Sequence, residues 1–223
     1  MIRFRITSLF IIAVLIGITA SASALEFTQR QVQLDKDLTM NAARKVSQKL
    51  FKLNSTGNEP ILLIISTRAG FAPAAMIVAD AISAVDAPVY AVIQPEAFGV
   101  GAIVAAFCEK RYAFRNASVL FSKLEYTSAK HMKDNPPLPQ AAADAYVERV
   151  WKATAARLDM DADQLAEKAK NGWFLTAEEG KRTGIITEIV SKVTWVPLVV
   201  ETTEIKRTTL KKVKRPLPAE EQP

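Results

Sequence analysis

The chain is poor in the residues that most often do chemistry. It holds one cysteine and one histidine in 223 residues. Cys108 alone excludes any intramolecular disulfide, whatever the redox state of the compartment. Its neighbours Ala105, Ala106 and Phe107 place it in a core, where a thiol is inert. His131 stands in a polar stretch between Lys130 and Met132 and reads as a solvent-exposed loop residue. No group of His, Cys, Asp and Glu has metal-ligand spacing, so no metal and no cofactor are expected. Gly99-Val100-Gly101 lacks the third glycine of a dinucleotide turn. No internal repeat and no second domain are visible.

The first acid is Glu26, preceded by Arg3 and Arg5, an apolar run from Leu9 to Ile18, and the small-residue triplet Ala22-Ser23-Ala24. A basic start, a short apolar stretch and an A-x-A site are the parts of a secretory signal. The apolar run is short of the roughly 20 residues a membrane span needs. Residues 1–24 are therefore expected to be a cleaved export signal, with an uncleaved signal anchor as the alternative. No cysteine lies near the cleavage site, so lipoprotein processing is not suggested. The periplasm is the simplest destination, and a secreted or lumenal one the alternative. Asn54-Ser55-Thr56 and Asn116-Ala117-Ser118 match the glycosylation triplet, which is common by chance.

Cleavage removes two of 29 basic residues and none of 23 acids, leaving a net charge of +4. Much of that excess sits in Lys206, Arg207, Lys211, Lys212, Lys214 and Arg215. Such a cluster suits anionic lipid or nucleic acid. The Pro-rich, acid-flanked ending favours a solvated tail, so no nucleic-acid partner and no membrane span after cleavage are expected. The division expected is a signal over 1–24, one domain over 25–200, and a basic then Pro/Glu-rich tail over 201–223.

Apolar periodicity then lays out the domain. A short strand is expected at Val32–Leu34, a helix over Leu38–Leu53 ended by Asn54 to Asn58, and a strand over Ile61–Ile65 buried on both faces. A helix from Pro73 to Val85 and a strand over Val89–Ile93 follow, then a turn from Gln94 to Gly99 and an apolar helix from Val100 to Phe107. Strands are expected at Arg111–Phe114 and Ser118–Phe121, a polar loop over Tyr126–Gln140, and an amphipathic helix over Ala141–Leu158. Asp161 or Asp163 caps a helix reaching Lys170, Thr176 caps another reaching Arg182, and Ile185–Val190 returns as a strand. Strands alternating with helices over short links imply parallel β-α units.

Four ordered segments resemble the Clp protease proteolytic subunit family. Pro60 to Gly70 is similar to the strand that in the family runs into Asn-Ser-Pro-Gly-Gly, and Glu96 to Ala102 to its nucleophile turn, Ala-Ala-Ser-Met-Gly-Ala. Asn116 to Ser122 resembles the stretch ending in the catalytic histidine. Phe174 to Glu179, with Gly184-Ile185-Ile186, resembles Phe-Leu-Ser-Ala-x-Glu-Ala and the later Gly-Leu-Val. The resemblance covers roughly Val32 to Val190 and implies an α/β fold, the ClpP/crotonase-like spiral of repeated β-β-α units.

The resemblance also assigns positions, and there the residues depart from the family. The nucleophile, base and aspartate positions fall on Gly99, Ser122 and Gly172. Glycine can neither attack nor orient a base, and a serine hydroxyl does not accept a proton near neutral pH. Sliding the register does not help, because Glu96 to Ala102 contains no Ser, Thr or Cys. The oxyanion region maps to Ala69, Gly70 and Val100, and the Cβ of Ala69 restricts the positive φ that glycine permits. Ser122 and Lys123 are adjacent, so strand alternation points them to opposite faces and excludes a Ser-Lys dyad.

The expectation is thus a pseudoprotease, not an enzyme, that binds an extended peptide or assembles. The peptide is expected to add to the Ile61–Gly70 strand edge. A homo-oligomer is expected through the 141–158 helix. Lys130, Lys133 and three prolines replace the family's glycine-containing handle, which argues against stacked heptameric rings. No cytoplasmic unfoldase is expected as partner. Two alternatives stay open: an active serine-type endopeptidase using other residues, and a crotonase-like acyl-CoA enzyme, poorly placed outside the cytoplasm.

Overall fold

The structure, a computed structural model, describes residues 23–124 and 139–196. The parts of the leader, the polar loop with His131 and the basic tail beyond these bounds lie outside the described residues.

One mixed sheet carries the fold. Its strands are β1 (Ser23–Phe27), β2 (Gln31–Leu34), β3 (Ile61–Thr67), β4 (Val89–Phe98), β5 (Lys110–Phe114), β6 (Ser118–Phe121), β7 (Trp173–Thr176) and β8 (Glu188–Trp195). The main path runs β1-β8-β5-β4-β3-β2, with β6 and β7 branching from β4. Every pairing is parallel except β6 with β7. The helices are α1 (Met40–Asn54), α2 (Ala72–Ala84), α3 (Val100–Ala106), α4 (Gln140–Arg157), α5 (Ala162–Lys170) and α6 (Ala177–Arg182).

The unbroken apolar run of β3 is explained by its two faces. Ile61, Leu63 and Ile65 join the main core with the helices, including Val46 and Leu50 of α1 and Val78 of α2. Leu62 and Ile64 face the other way, into a smaller cluster with Leu25, Val92, Tyr112 and Val190. Both faces are dry, so neither tolerates polar alternation.

Most expected elements occur, and the differences have local causes. α1 begins after Leu38 because Leu38 bridges to Gly70 and Thr39 caps the helix, its Oγ1 accepting from the Ala42 N–H at 3.2 Å. Asn54, the first sequon residue, is a structural tie: its Oδ1 accepts from the N–H groups of Asp86 and Ala87 at 3.1 and 3.0 Å. Asp161 is the cap of α5, accepting from the Gln164 N–H at 2.9 Å.

The largest correction is β4. Gln94 to Phe98 was expected to be a turn, since proline cannot donate to a ladder. Instead the strand continues by changing partner: Tyr90 to Ile93 pair with β5, and Glu96 to Phe98 pair with Ser118 to Leu120 of β6. β1 and β7 were not anticipated. β8 starts and ends later than the expected Ile185–Val190. Ile185 and Ile186 are buried link residues, the Ile186 N–H donating to Gly180 O at 3.0 Å.

Candidate functional site

The change of partner in β4 delivers Gly99 to a corner built by β6 and β7. Gly99 has φ +53° and ψ −110°, and its N–H donates to Leu120 O at 2.8 Å. A Cβ placed on Gly99 would lie 3.3 Å from Ser122 Oγ. The antiparallel ladder runs from Ser118↔Thr176 to Phe121↔Trp173, and Gly172 immediately precedes its last pair. Gly172 has φ +81°, and a Cβ there would touch only Leu120 Cδ1, at 3.8 Å. Gly99 and Ser122, far apart in sequence, thus meet at one corner, and Gly172 borders Leu120 beside it.

The segment after β3 supplies the adjoining wall. Leu38 clamps it: its N–H donates to Ala69 O at 2.9 Å, and its carbonyl accepts from the Phe71 N–H at 3.1 Å. Between those bonds Gly70 is pressed against Leu38 and Val100. A Cβ on Gly70 would be 2.7 Å from Leu38 O and 2.8 Å from Val100 Cγ2. Val100 opens α3 with no side-chain cap. Ala69 and Gly70 are therefore held against Val100. Ala69 does not adopt a positive φ; Asp159 is the one non-glycine that does among the described residues.

A family model for Clp protease matches residues 18–193. The chain belongs to the Clp protease family. Among solved structures it is similar to a ClpP1 mutant from Listeria monocytogenes, with 21% identity, 72% of this chain and 91% of that chain covered, and a TM-score of 0.62. At that identity the likeness speaks for the fold. No curated protein matches the sequence.

Within this Clp-family fold two expectations about the site change. The Ile61–Gly70 segment offers no strand edge, because β3 pairs with β2 on one side and β4 on the other. The outer edge of β7 is closed too. The Thr176 N–H donates to Glu179 Oε2 at 2.9 Å, and the Phe174 N–H donates to Gly172 O at 3.2 Å. Lastly, Ser122 and Lys123 lie beyond the end of β6, so strand alternation does not govern where they point.

The corner is rimmed by groups that sequence reading passed over. Arg68, at the exit of β3, forms an ion pair with Glu96 of β4, and that hydrogen bond and charge raise the Arg68 pKa further. On the outer face of β4–β6–β7 a row of Phe98, Leu120 and Phe174 crosses the sheet. Phe98 and Phe174 meet edge to face at 6.2 Å, and Phe174 is half-exposed. The partners in each row become visible only with the β6–β7 register, which no periodicity reveals. A cavity of about 840 Å³ opens between α4 and α5, lined by Lys123, Leu124, Val147, Trp151, Ala166 and Lys170 among others. Lys123 follows Ser122 in the chain and Lys170 closes the helix before Gly172, so the cavity borders the corner.

Cys108 is no nucleophile. It is buried, its Sγ lies 3.7 Å from Val104 O, and desolvation pushes its thiol pKa up to about 12, a rise that nearby Arg111 only partly offsets. No group of His, Cys, Asp or Glu among the described residues is arranged to hold a metal ion.

Proposed function

We propose that this Clp-family chain is an exported, catalytically degenerate member that works by binding a peptide or protein and by assembling. The observation that carries the reading is what stands at the corner. Where the family resemblance sets nucleophile, base and orienting acid, the residues are Gly99, Ser122 and Gly172. A triad needs an activated oxygen or sulfur, an acceptor for its proton and an anion to orient that acceptor. Two of the three positions have no side chain, and the third has a hydroxyl that is no base near neutral pH.

Binding in this reading uses side-chain recognition, since the neighbouring strand edges are occupied. The α4–α5 cavity falls in the 300–1,000 Å³ range of ligand pockets. The Phe98–Phe174 row offers a separate apolar shelf on the outer face of the sheet. Assembly is proposed through α4, whose Ala143, Val150, Trp151 and Ala155 anchor it while the opposite side faces outward. Export is supported by the pattern of residues 1–24. Cleavage after Ala24 would leave Leu25, Glu26 and Phe27 paired with Val193, Thr194 and Trp195. An exported chain leaves cytoplasmic ATP-driven unfoldases behind, which removes the benefit of retaining proteolysis.

The test is to incubate the purified protein with casein and a serine-directed fluorophosphonate probe. No turnover and no labelling are expected. Labelling or turnover abolished by Ser122→Ala would establish an active hydrolase and end the degenerate reading.

A further inference from the structure

Charge is unevenly spread over the described residues. α1 contains Arg44, Lys45, Lys49 and Lys52 and no acid, whereas the described residues outside it carry 15 basic and 17 acidic side chains. The body is thus slightly acidic, and its basic excess is concentrated on one helix.

That helix presents its charges outward. Ala43, Val46, Ser47 and Leu50 are buried, while all four cations are exposed. Lys45, Lys49 and Lys52 follow one another at i, i+4 and i+7, so like charges stand in a row along one side and repel. Elsewhere the helices set acid against base at such spacings: Glu148 pairs with Lys152 on α4, and Glu167 with Lys170 on α5. Among the described residues none of the four α1 cations enters an ion pair. Beside the row runs a cleft of about 290 Å³, between α1 and the link from β2. Lys36, Lys45 and Lys49 line it together with polar Gln33, Thr39 and Asn41, and Asp35 is its one acid. Arg44 and Phe51, two turns apart, form the other margin of the exposed face, and Phe51 is 48% exposed.

The partner that fits is an anionic surface, and three features choose its kind. Three of the four cations are Lys, a compact hydrated point charge without the planar fork by which Arg matches one defined carboxylate. Such a row suits diffuse negative charge better than a single structured partner. The cleft gathers three lysines around a space for one phosphate-bearing headgroup, as basic pockets for lipid headgroups do. Phe51 adds apolar contact at headgroup depth, and charge with weak insertion suffices for peripheral attachment where either alone is marginal.

We propose that the α1 face docks on an anionic lipid bilayer, with the lysine row along the headgroups, one lipid phosphate among Lys36, Lys45 and Lys49, and Phe51 entering the interface. Duplex nucleic acid would employ the lysines and leave Phe51 without a role. The docking is independent of the pseudoprotease reading.

Co-sedimentation of the full chain with vesicles tests it. Binding to vesicles rich in phosphatidylglycerol is expected, reversed by high salt and absent with phosphatidylcholine alone. Lys45→Ala combined with Lys49→Ala is expected to weaken that binding about thirtyfold, as the loss of two headgroup-facing charges implies. Lys181→Ala combined with Arg182→Ala removes the same charge from α6 and is expected to change it no more than about threefold. Phe51→Ala is expected to weaken it about fivefold. No binding to the anionic vesicles, equal binding to neutral ones, or binding to duplex DNA in place of vesicles would overturn the proposal. So would wild-type affinity in the α1 double variant, or an equal loss in the α6 variant, since either would place the contact elsewhere or nowhere in particular. All the replaced side chains are exposed and alanine favours helix, so the fold is not threatened, and circular dichroism checks this.

Discussion

Gly70 packs against Val100 and Gly99 precedes it in the chain, and the two are glycine for different reasons. At Gly70 the backbone is wedged: a Cβ would stand 2.7 Å from Leu38 O and 2.8 Å from both Leu38 Cβ and Val100 Cγ2. At Gly99 the nearest neighbour of a Cβ is Ser122 Oγ at 3.3 Å, and at Gly172 it is Leu120 Cδ1 at 3.8 Å. Contact with backbone therefore demands the first glycine, whereas a positive φ, and at Gly99 one close hydroxyl, favours the other two. The contrast separates two properties of an active-site scaffold. The wall beside α3 is tightly packed on backbone, while the corner around Gly99 holds a single nearby hydroxyl, that of Ser122.

The strongest way to break this comparison is Gly70→Ala. The added methyl has no flexible side-chain end to displace, only Leu38 backbone, Leu38 Cβ and a buried Val100. Overpacking together with φ strain is expected to cost about 3 kcal/mol. For a chain of this size that lowers the unfolding midpoint by roughly 10 °C, measurable by calorimetry. Gly172→Ala is expected to cost about 1 kcal/mol, from its positive φ alone. A Gly172→Ala loss equal to that of Gly70→Ala would show that the corner is packed as tightly as the wall.

A second prediction concerns chemistry. Gly99→Ser puts an oxygen-bearing side chain within reach of position 122, at a strain cost of about 1–2 kcal/mol. Combined with Ser122→His and Gly172→Asp it introduces the residue types of a Ser-His-Asp constellation at the three positions that the family resemblance assigns to it. The triple variant is expected to react with a fluorophosphonate probe where the wild type does not, and Gly99→Ser alone is expected to stay unlabelled. A folded triple variant that resists the probe would mean that the corner has lost the geometry along with the chemistry.

Much of this was legible in the sequence, and what was not has definite causes. The run Ile61–Ile65 declares a strand dry on both faces, and the four family-like segments assign the site to Gly99, Ser122, Gly172, Ala69, Gly70 and Val100. Pro95 hid the second half of β4, because a strand that changes partner tolerates a missing donor that a continuous ladder does not. β7 was hidden by its brevity and by Thr176, whose cap signal drew attention to α6. The error about the Ile61–Gly70 edge came from topology: pairing partners depend on sheet order, and local pattern does not encode it. Arg68 with Glu96, and Phe98 with Phe174, are meetings between elements distant in sequence, so neither left a signal along the chain.

The smallest expected effect tests how the closed edge of β7 is held. Thr176 caps α6 by accepting from the Glu179 N–H at 3.3 Å, and the Glu179 carboxylate reaches back to the Thr176 N–H at 2.9 Å and hydroxyl at 2.8 Å. Those bonds, the backbone one first, hold the Glu179 pKa below its ordinary value. A carboxylate with a depressed folded pKa contributes stability that is present above the unfolded pKa and lost as pH falls through the folded one. Thr176→Ala is expected to cost about 1 kcal/mol near neutral pH. Glu179→Gln keeps an acceptor without the titration, so its stability relative to wild type should rise as pH drops below the ordinary carboxylate range. If denaturant midpoints of wild type and Glu179→Gln instead run parallel through that range, the carboxylate does not close the edge, and β7 would then be open to strand addition beside Gly172.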